Sequence, residues 1–174
     1  MTAAAPLRLI LIRHAKSGWD DLTLDDHDRP LTDRGRDNAP RIGRWLAAQG
    51  YVPTQVLCSD ATRTRQTLAL ILPELPTPPQ VQVQYMSTLY HASAGQMLAE
   101  LHKATEPVVA MIGHNPGIGT FANGVVQGRP GHPRYRDYPT AATAVIDFDL
   151  TGWAQVRPRL GRVTDFTIPH DLAD

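Results

Sequence analysis

Apolar residues fall along this chain in two rhythms. Short unbroken runs, Leu9-Ile10-Leu11-Ile12, Val56-Leu57-Cys58 and Val108-Val109-Ala110-Met111-Ile112, are too brief for helices and read as strands buried on both faces. Ala39, Ile42, Gly43, Leu46 and Ala47 recur every three or four positions, after an N-cap at Thr32 and before a stop at Gly50, and predict a helix. Pro40 lies inside that pattern and should bend or divide the helix. A second helix is expected from Asp60 through Leu72. A third, capped by Ser93, should run through Met97, Leu98, Leu101 and Ala104, and a fourth from Gly117 to Val126. Val81–Tyr85 alternates like a strand, and Ala144–Phe148 and Val163–Ile168 read as late strands. Pro73–Pro79, with four prolines, must be a loop, as must the Asp-rich stretch 18–30 and the basic, aromatic-bearing stretch 128–139. Strands and helices in alternation give an α/β fold: three layers, with a mostly parallel central sheet flanked by helices.

Polar residues stand where three of the strands give out. The first delivers Arg13 and His14, the second Ser59 and then Arg63 one helical turn on, and the run 108–112 delivers His114. Ligands of open α/β sheets sit outside the carboxyl ends of the strands, and parallel strands put those ends on one edge. The four side chains can therefore converge. Two guanidiniums and two imidazoles in one pocket make an anion site. An imidazole in line with a bound phosphorus can act as a nucleophile, splitting a difficult transfer into two easier steps. The arginines and the second histidine would stabilise the transferring group without a metal. Arg63 and Arg65 cannot both face the same way, so one is expected to face the site and the other solvent.

Composition narrows the setting. The 174 residues favour one domain over 1–174, with 42% hydrophobic and 20% charged residues. Seventeen basic residues balance seventeen acidic ones, so no overall field draws nucleic acid or a membrane surface. The lone Cys58 fits a reducing compartment, and its apolar neighbours suggest an inert thiol. The start, Met1-Thr2-Ala3-Ala4-Ala5-Pro6, lacks the basic region of a secretory leader, and no apolar run is long enough to span a bilayer. A cytoplasmic protein is expected. The acids of 18–30 lack the spacing of a calcium loop, and His27, His102, His132 and His170 lack metal-ligand spacing. No cofactor or metal is expected, and these histidines read as surface residues.

Four motifs, Arg13-His14-Ala15, Leu31-Thr32-x-x-Gly35, Ser59-x-x-x-Arg63-x-x-Gln66-Thr67 and Gly113-His114-Asn115-Pro116, resemble in order the signatures of the histidine phosphatase superfamily. Arg13-His14-Ala15-Lys16-Ser17, Asp28-Arg29-Pro30-Leu31-Thr32 and Pro139-Thr140-Ala141-Ala142 resemble its phosphohistidine phosphatase branch, the SixA type. The resemblance implies a phosphoglycerate-mutase-like fold, with His14 as the residue phosphorylated and Arg13, Arg63 and His114 on the phosphoryl oxygens. Ser17 and Lys16 would add phosphate contacts from the turn. Members that cleave phosphate esters carry an acid in a Leu-x-Glu setting after the third strand; here the place reads Leu89-Tyr90-His91. A missing acid favours a phosphohistidine, whose imidazole leaves more easily than an alkoxide. His91 could substitute as the proton donor, though it reads rather as a loop residue. The expected partner is a phosphohistidine-bearing signalling or phosphotransfer protein. The alternatives are a small phosphorylated molecule, or a non-catalytic phosphoprotein-binding role.

Overall fold

The computed structural model describes residues 5–76 and 81–173. Residues 77–79 of the expected proline-rich loop, and residues 1–4 of the expected leaderless start, lie outside the described residues. The strands are β1 Leu7–Arg13, β2 Gln55–Ser59, β3 Gln82–Met86, β4 Val108–Gly113, β5 Thr143–Phe148 and β6 Arg162–Thr167. The helices are α1 Asp33–Gln49, α2 Thr62–Ile71, α3 Ala94–Leu101 and α4 Gly117–Gly124.

The strands form one sheet in the order β3-β2-β4-β1-β5-β6. The first four are mutually parallel, while β5 runs antiparallel to both β1 and β6. Alternate residues of each inner strand face opposite layers, as the pleat requires. Leu9, Leu11, Leu57 and Met111 pack with Ile118 and Phe121 on one face. Ile10, Ile12, Val56 and Cys58 pack with Ala39, Ile42, Leu46 and Leu68 on the other. Each such side chain taken fully from water contributes roughly 1.5–3 kcal/mol. The expected three-layer, mostly parallel α/β architecture is the one observed.

Register then places the polar ends. Arg13 pairs with Gly113 across β1 and β4, so the next residues, His14 and His114, leave the sheet side by side. Cys58 pairs with Ile112, which brings Ser59 to the same edge.

The caps follow the side-chain chemistry. Thr32 accepts the Gly35 amide, Ser93 and Gln96 form a reciprocal capping box, and Gly50 ends α1 at φ 76°. Pro40 neither ends nor divides α1, which continues from Asp33 to Gln49. One lost amide bond is outweighed by the buried stripe Ala39, Ile42, Gly43 and Leu46. At the start of α4 a Cβ on Gly117 would lie 1.8 Å from the Ala92 carbonyl oxygen, so only glycine fits there. Among the described residues no helix is long and apolar enough to cross a membrane.

The stretch 128–139, expected as a solvated loop, is anchored in the core. Tyr135 and Tyr138 are fully buried. The Tyr135 hydroxyl donates to Ala122 O at 2.7 Å. That of Tyr138 donates to Leu11 O at 2.7 Å and accepts from the Ala144 amide at 3.1 Å, linking β1 to β5. Replacing Tyr138 by Phe strands the Ala144 amide and should cost about 1–3 kcal/mol, read as a lower urea midpoint with an unchanged m-value.

Candidate active site

His14 follows directly from β1. Its backbone amide donates to Gly113 O at 3.1 Å and its carbonyl accepts from the Ala141 amide at 3.0 Å, so the residue is fixed before its side chain is considered. Nδ1 lies 2.7 Å from the Ala15 carbonyl oxygen. A carbonyl only accepts, so Nδ1 carries the proton and Nε2 holds the lone pair. Nε2 makes no hydrogen bond to the protein among the described residues. Burial first, then the charges of Arg13, Arg63 and Arg29, push the His14 pKa down to about 3.

His114 faces it with ring centroids 5.3 Å apart. Its Nε2 is 2.7 Å from Ser59 Oγ, and its Nδ1 is buried without a partner. Burial and the neighbouring His14 and Arg63 also hold His114 far below the usual imidazole range. Arg13 spends Nη1 on Tyr138 O at 3.1 Å, and its Nε is buried without a partner. Its pKa is lowered by burial and by the charge of Arg63. Arg63, 3% exposed, points into the site, whereas Arg65 lies on the surface over the Tyr85 ring, as one-in, one-out geometry requires. The structure thus brings His14, Arg63, His114 and Arg13 close together at the carboxyl ends of the parallel strands.

Ser17 reaches that cluster only at second hand: its Oγ accepts from Arg29 Nη1 at 3.1 Å. Lys16 is exposed, and its carbonyl is what serves, accepting from the Thr32 amide at 2.9 Å. The rest of the Ser59-to-Thr67 motif is scaffold. Thr67 Oγ1 accepts from the Ala15 amide at 3.0 Å and donates to Arg63 O at 2.7 Å. Gln66 Oε1 accepts from the Leu31 amide at 2.8 Å.

Four residues enter the site that the sequence alone did not place there. Asp26 comes down from the 18–30 stretch. Its backbone oxygen accepts from Arg63 Nη1 at 2.7 Å and its Oδ2 from Arg63 Nη2 at 3.0 Å. Oδ1 accepts from Arg29 Nη2 at 2.8 Å, and the Tyr90 hydroxyl donates to Oδ2 in a short bond. Burial opposes ionisation of Asp26, but the bonds from Tyr90, Arg29 and Arg63 prevail and hold its carboxyl well below the usual range. His91 is the fourth, with Nε2 3.1 Å from Asp26 Oδ2 and 3.4 Å from Arg63 Nη2. A loop so rich in aspartate reads as solvated in sequence; only the Asp26–Arg29 spacing, an acid three residues before a base, hints at internal pairing.

The other histidines are more engaged than expected. His27 bonds Asp60 at 2.8 Å, His102 donates to Val156 O at 2.8 Å and His132 bonds Asp171 at 2.6 Å, while His170 is exposed. Cys58 is buried and its thiol is pushed up to about 12, an inert group as expected. Among the described residues no group of three or more His, Cys, Asp or Glu side chains is arranged to hold a metal ion.

The family model described as histidine phosphatase superfamily (branch 1) matches residues 9–97. The chain belongs to the histidine phosphatase superfamily. An uncharacterized protein of Mycobacterium tuberculosis is 34% identical over 167 residues, covering 91% of this chain and 100% of that one. An uncharacterized chloroplastic protein of Arabidopsis thaliana is 40% identical over 119 residues, covering 63% of this chain. This chain spans 55% of the plant protein's length. Among solved structures, the candidate phosphohistidine phosphatase SixA of Agrobacterium tumefaciens superposes with a TM-score of 0.77 at 27% identity, covering 95% of this chain and 100% of that one. The fold is thus phosphoglycerate-mutase-like and SixA-like.

The depressed imidazoles set a pH dependence. Unfolded, both rings titrate near ~6.5; folded, His14 takes up its proton only at about 3. Between those values the unfolded chain binds more protons, so stability present at neutral pH is lost as pH falls. Urea midpoints should drop between about pH 7 and about pH 4, and His14→Asn should make the drop shallower.

Proposed function

We propose that the chain is a metal-independent phosphatase working through a phosphohistidine on His14, with phosphohistidine on a signalling or phosphotransfer protein as its substrate. The reading rests on the tautomer that Ala15 imposes: Nδ1 is spent on a carbonyl, leaving the Nε2 lone pair beside buried cations. Nε2 attacks phosphorus, the bond to the leaving group breaks, and water then displaces His14 from phosphorus to release phosphate. Three donors are buried without partners, Arg13 Nε, Arg63 Nε and, on its protonated tautomer, His114 Nδ1. They are the groups to meet the phosphoryl oxygens, with Ser17 acting through Arg29. The likeness to SixA supports the phosphohistidine substrate. Balanced net charge argues against nucleic acid or membrane partners, and the buried lone Cys58 suits a reducing compartment such as the cytoplasm.

The presence of His91 beside Asp26 favours a second reading, a small-molecule phosphomonoesterase, because it supplies a candidate acid that an alkoxide leaving group needs.

Rapid-quench labelling with a phosphorus-labelled substrate tests the scheme. Acid-labile label should appear on wild-type protein and be absent from His14→Ala, whose undiminished turnover would refute the mechanism. Arg63→Ala should lower kcat by roughly 10²–10³-fold. Vanadate should inhibit and EDTA leave activity intact. Rates on a phosphohistidine peptide should exceed those on an alkyl phosphate; the reverse order selects the esterase reading.

A further inference from the structure

We infer that His91, oriented by Asp26, is the proton donor to the leaving group in the reaction proposed above. The inference rests on that reaction and adds the group it lacks.

The geometry at His91 is specific. Its backbone sits in the left-handed region at φ 51°, a conformation uncommon for a side-chain-bearing residue and held here by its surroundings. The ring stacks on Tyr90 with centroids 4.1 Å apart and planes 21° from parallel, and it meets His114 edge-on at 5.6 Å. Nε2 lies 3.1 Å from the Asp26 carboxylate, which accepts a hydrogen bond from Nε2–H and thereby fixes the ring. Among the described residues Nδ1 makes no hydrogen bond to the protein, and the side chain is about half exposed (55%). The ring lines a trough of about 590 Å³ shared with Ser93, Gln96 and Asn115, which runs past the His114–Asn115 turn and gives a departing group somewhere to lie.

The charges facing His91 are those of Asp26 and Arg63, with the neutral rings of Tyr90 and His114. Arg63 Nη2 lies 3.4 Å and Asp26 Oδ2 3.1 Å from His91 Nε2. Every other group at the site is unsuited to donation. Arginines do not release protons. His14 and His114 are held neutral, Asp26 is held ionised, and the Tyr90 hydroxyl is committed to Asp26. Glu100 is paired with Lys103, and Glu106 accepts from Gln82 away from the pocket.

The proton bookkeeping closes. As the His14 Nε2–phosphorus bond forms and the bond to the leaving nitrogen or oxygen breaks, the proton on His91 Nδ1 passes to that atom. His91 is left neutral, with its Nε2–H still donated to the Asp26 carboxylate. When water attacks phosphorus and the bond to His14 breaks, Nδ1 takes the proton of the water and the imidazolium is restored.

The test is the dependence of kcat/KM on leaving-group basicity, from p-nitrophenyl phosphate to alkyl phosphates, in wild type, His91→Gln and His91→Asn. Asn tolerates the left-handed backbone, so a folding defect in one variant does not decide the result. The loss should grow from a few-fold for p-nitrophenyl phosphate to ~10²-fold or more for alkyl phosphates. In His91→Gly, added imidazole should restore turnover on the alkyl substrates. An equal loss at every leaving group, with no rescue by imidazole, would overturn the inference. Failure of the underlying reaction is read separately, as absence of label on His14 in the wild-type protein.

Discussion

Crowding of like charge is the condition around which this molecule is built. Arg13, Arg63 and Arg29 all bear on His14, and Arg63 is close enough to Arg13 to depress its affinity for a proton. Such a cluster is unfavourable unless an anion or a carboxylate answers it. Asp26 answers part of it, bonding Arg63 twice and Arg29 twice, while Nε of Arg13 and Nε of Arg63 are buried without partners. The field that attracts an anion also keeps the imidazoles neutral. On the proposed reading His14 is the nucleophile, and a proton on Nε2 would occupy the lone pair that attacks, so one arrangement would serve both binding and attack.

The sheet makes this crowding affordable by rigidity. His14 is gripped through its backbone by Gly113 and Ala141 and through its ring by Ala15, while Thr67 ties the Ala15 amide to the carbonyl of Arg63. These contacts join β1, β4, α2 and the segment before β5. Groups that repel one another stay in place because each is fastened to a different element of a packed core.

Much of this was legible before the coordinates. Arg13, His14, Arg63 and His114 could be read because each follows a short apolar run, and parallel strands deliver their ends to one edge. Thr32, Gly50 and Ser93 were legible because capping is local chemistry. What escaped depends on long-range pairing. Asp26 is 37 positions from Arg63 and 64 from Tyr90, and nothing in an aspartate-rich stretch says which acid turns inward. Tyr135 and Tyr138 sit in a basic, proline-bearing stretch that looks solvated, yet their hydroxyls reach carbonyls of α4 and β1. Pro40 misled in the opposite sense, since local propensity yielded to a buried stripe.

The contact between Gly117 and the Ala92 carbonyl has a wider implication. There is no room between these two backbones even for a methyl group, so the turn carrying His91 is pressed against the first residue of α4, the helix that follows His114. That wall of the cleft is fixed in its dimensions. The stretch from Gly18 to Pro30 adjoins that turn, since Asp26 bonds both Tyr90 and His91, and it leaves Trp19 and Leu22 outside. Changes at the outer residues of that stretch, around Trp19 and Leu22, leave the Gly117–Ala92 contact untouched, whereas changes that move Asp26 reach His91 directly. Variation is therefore tolerated at the outer residues of this stretch and not at the carboxylate that ties it to the turn.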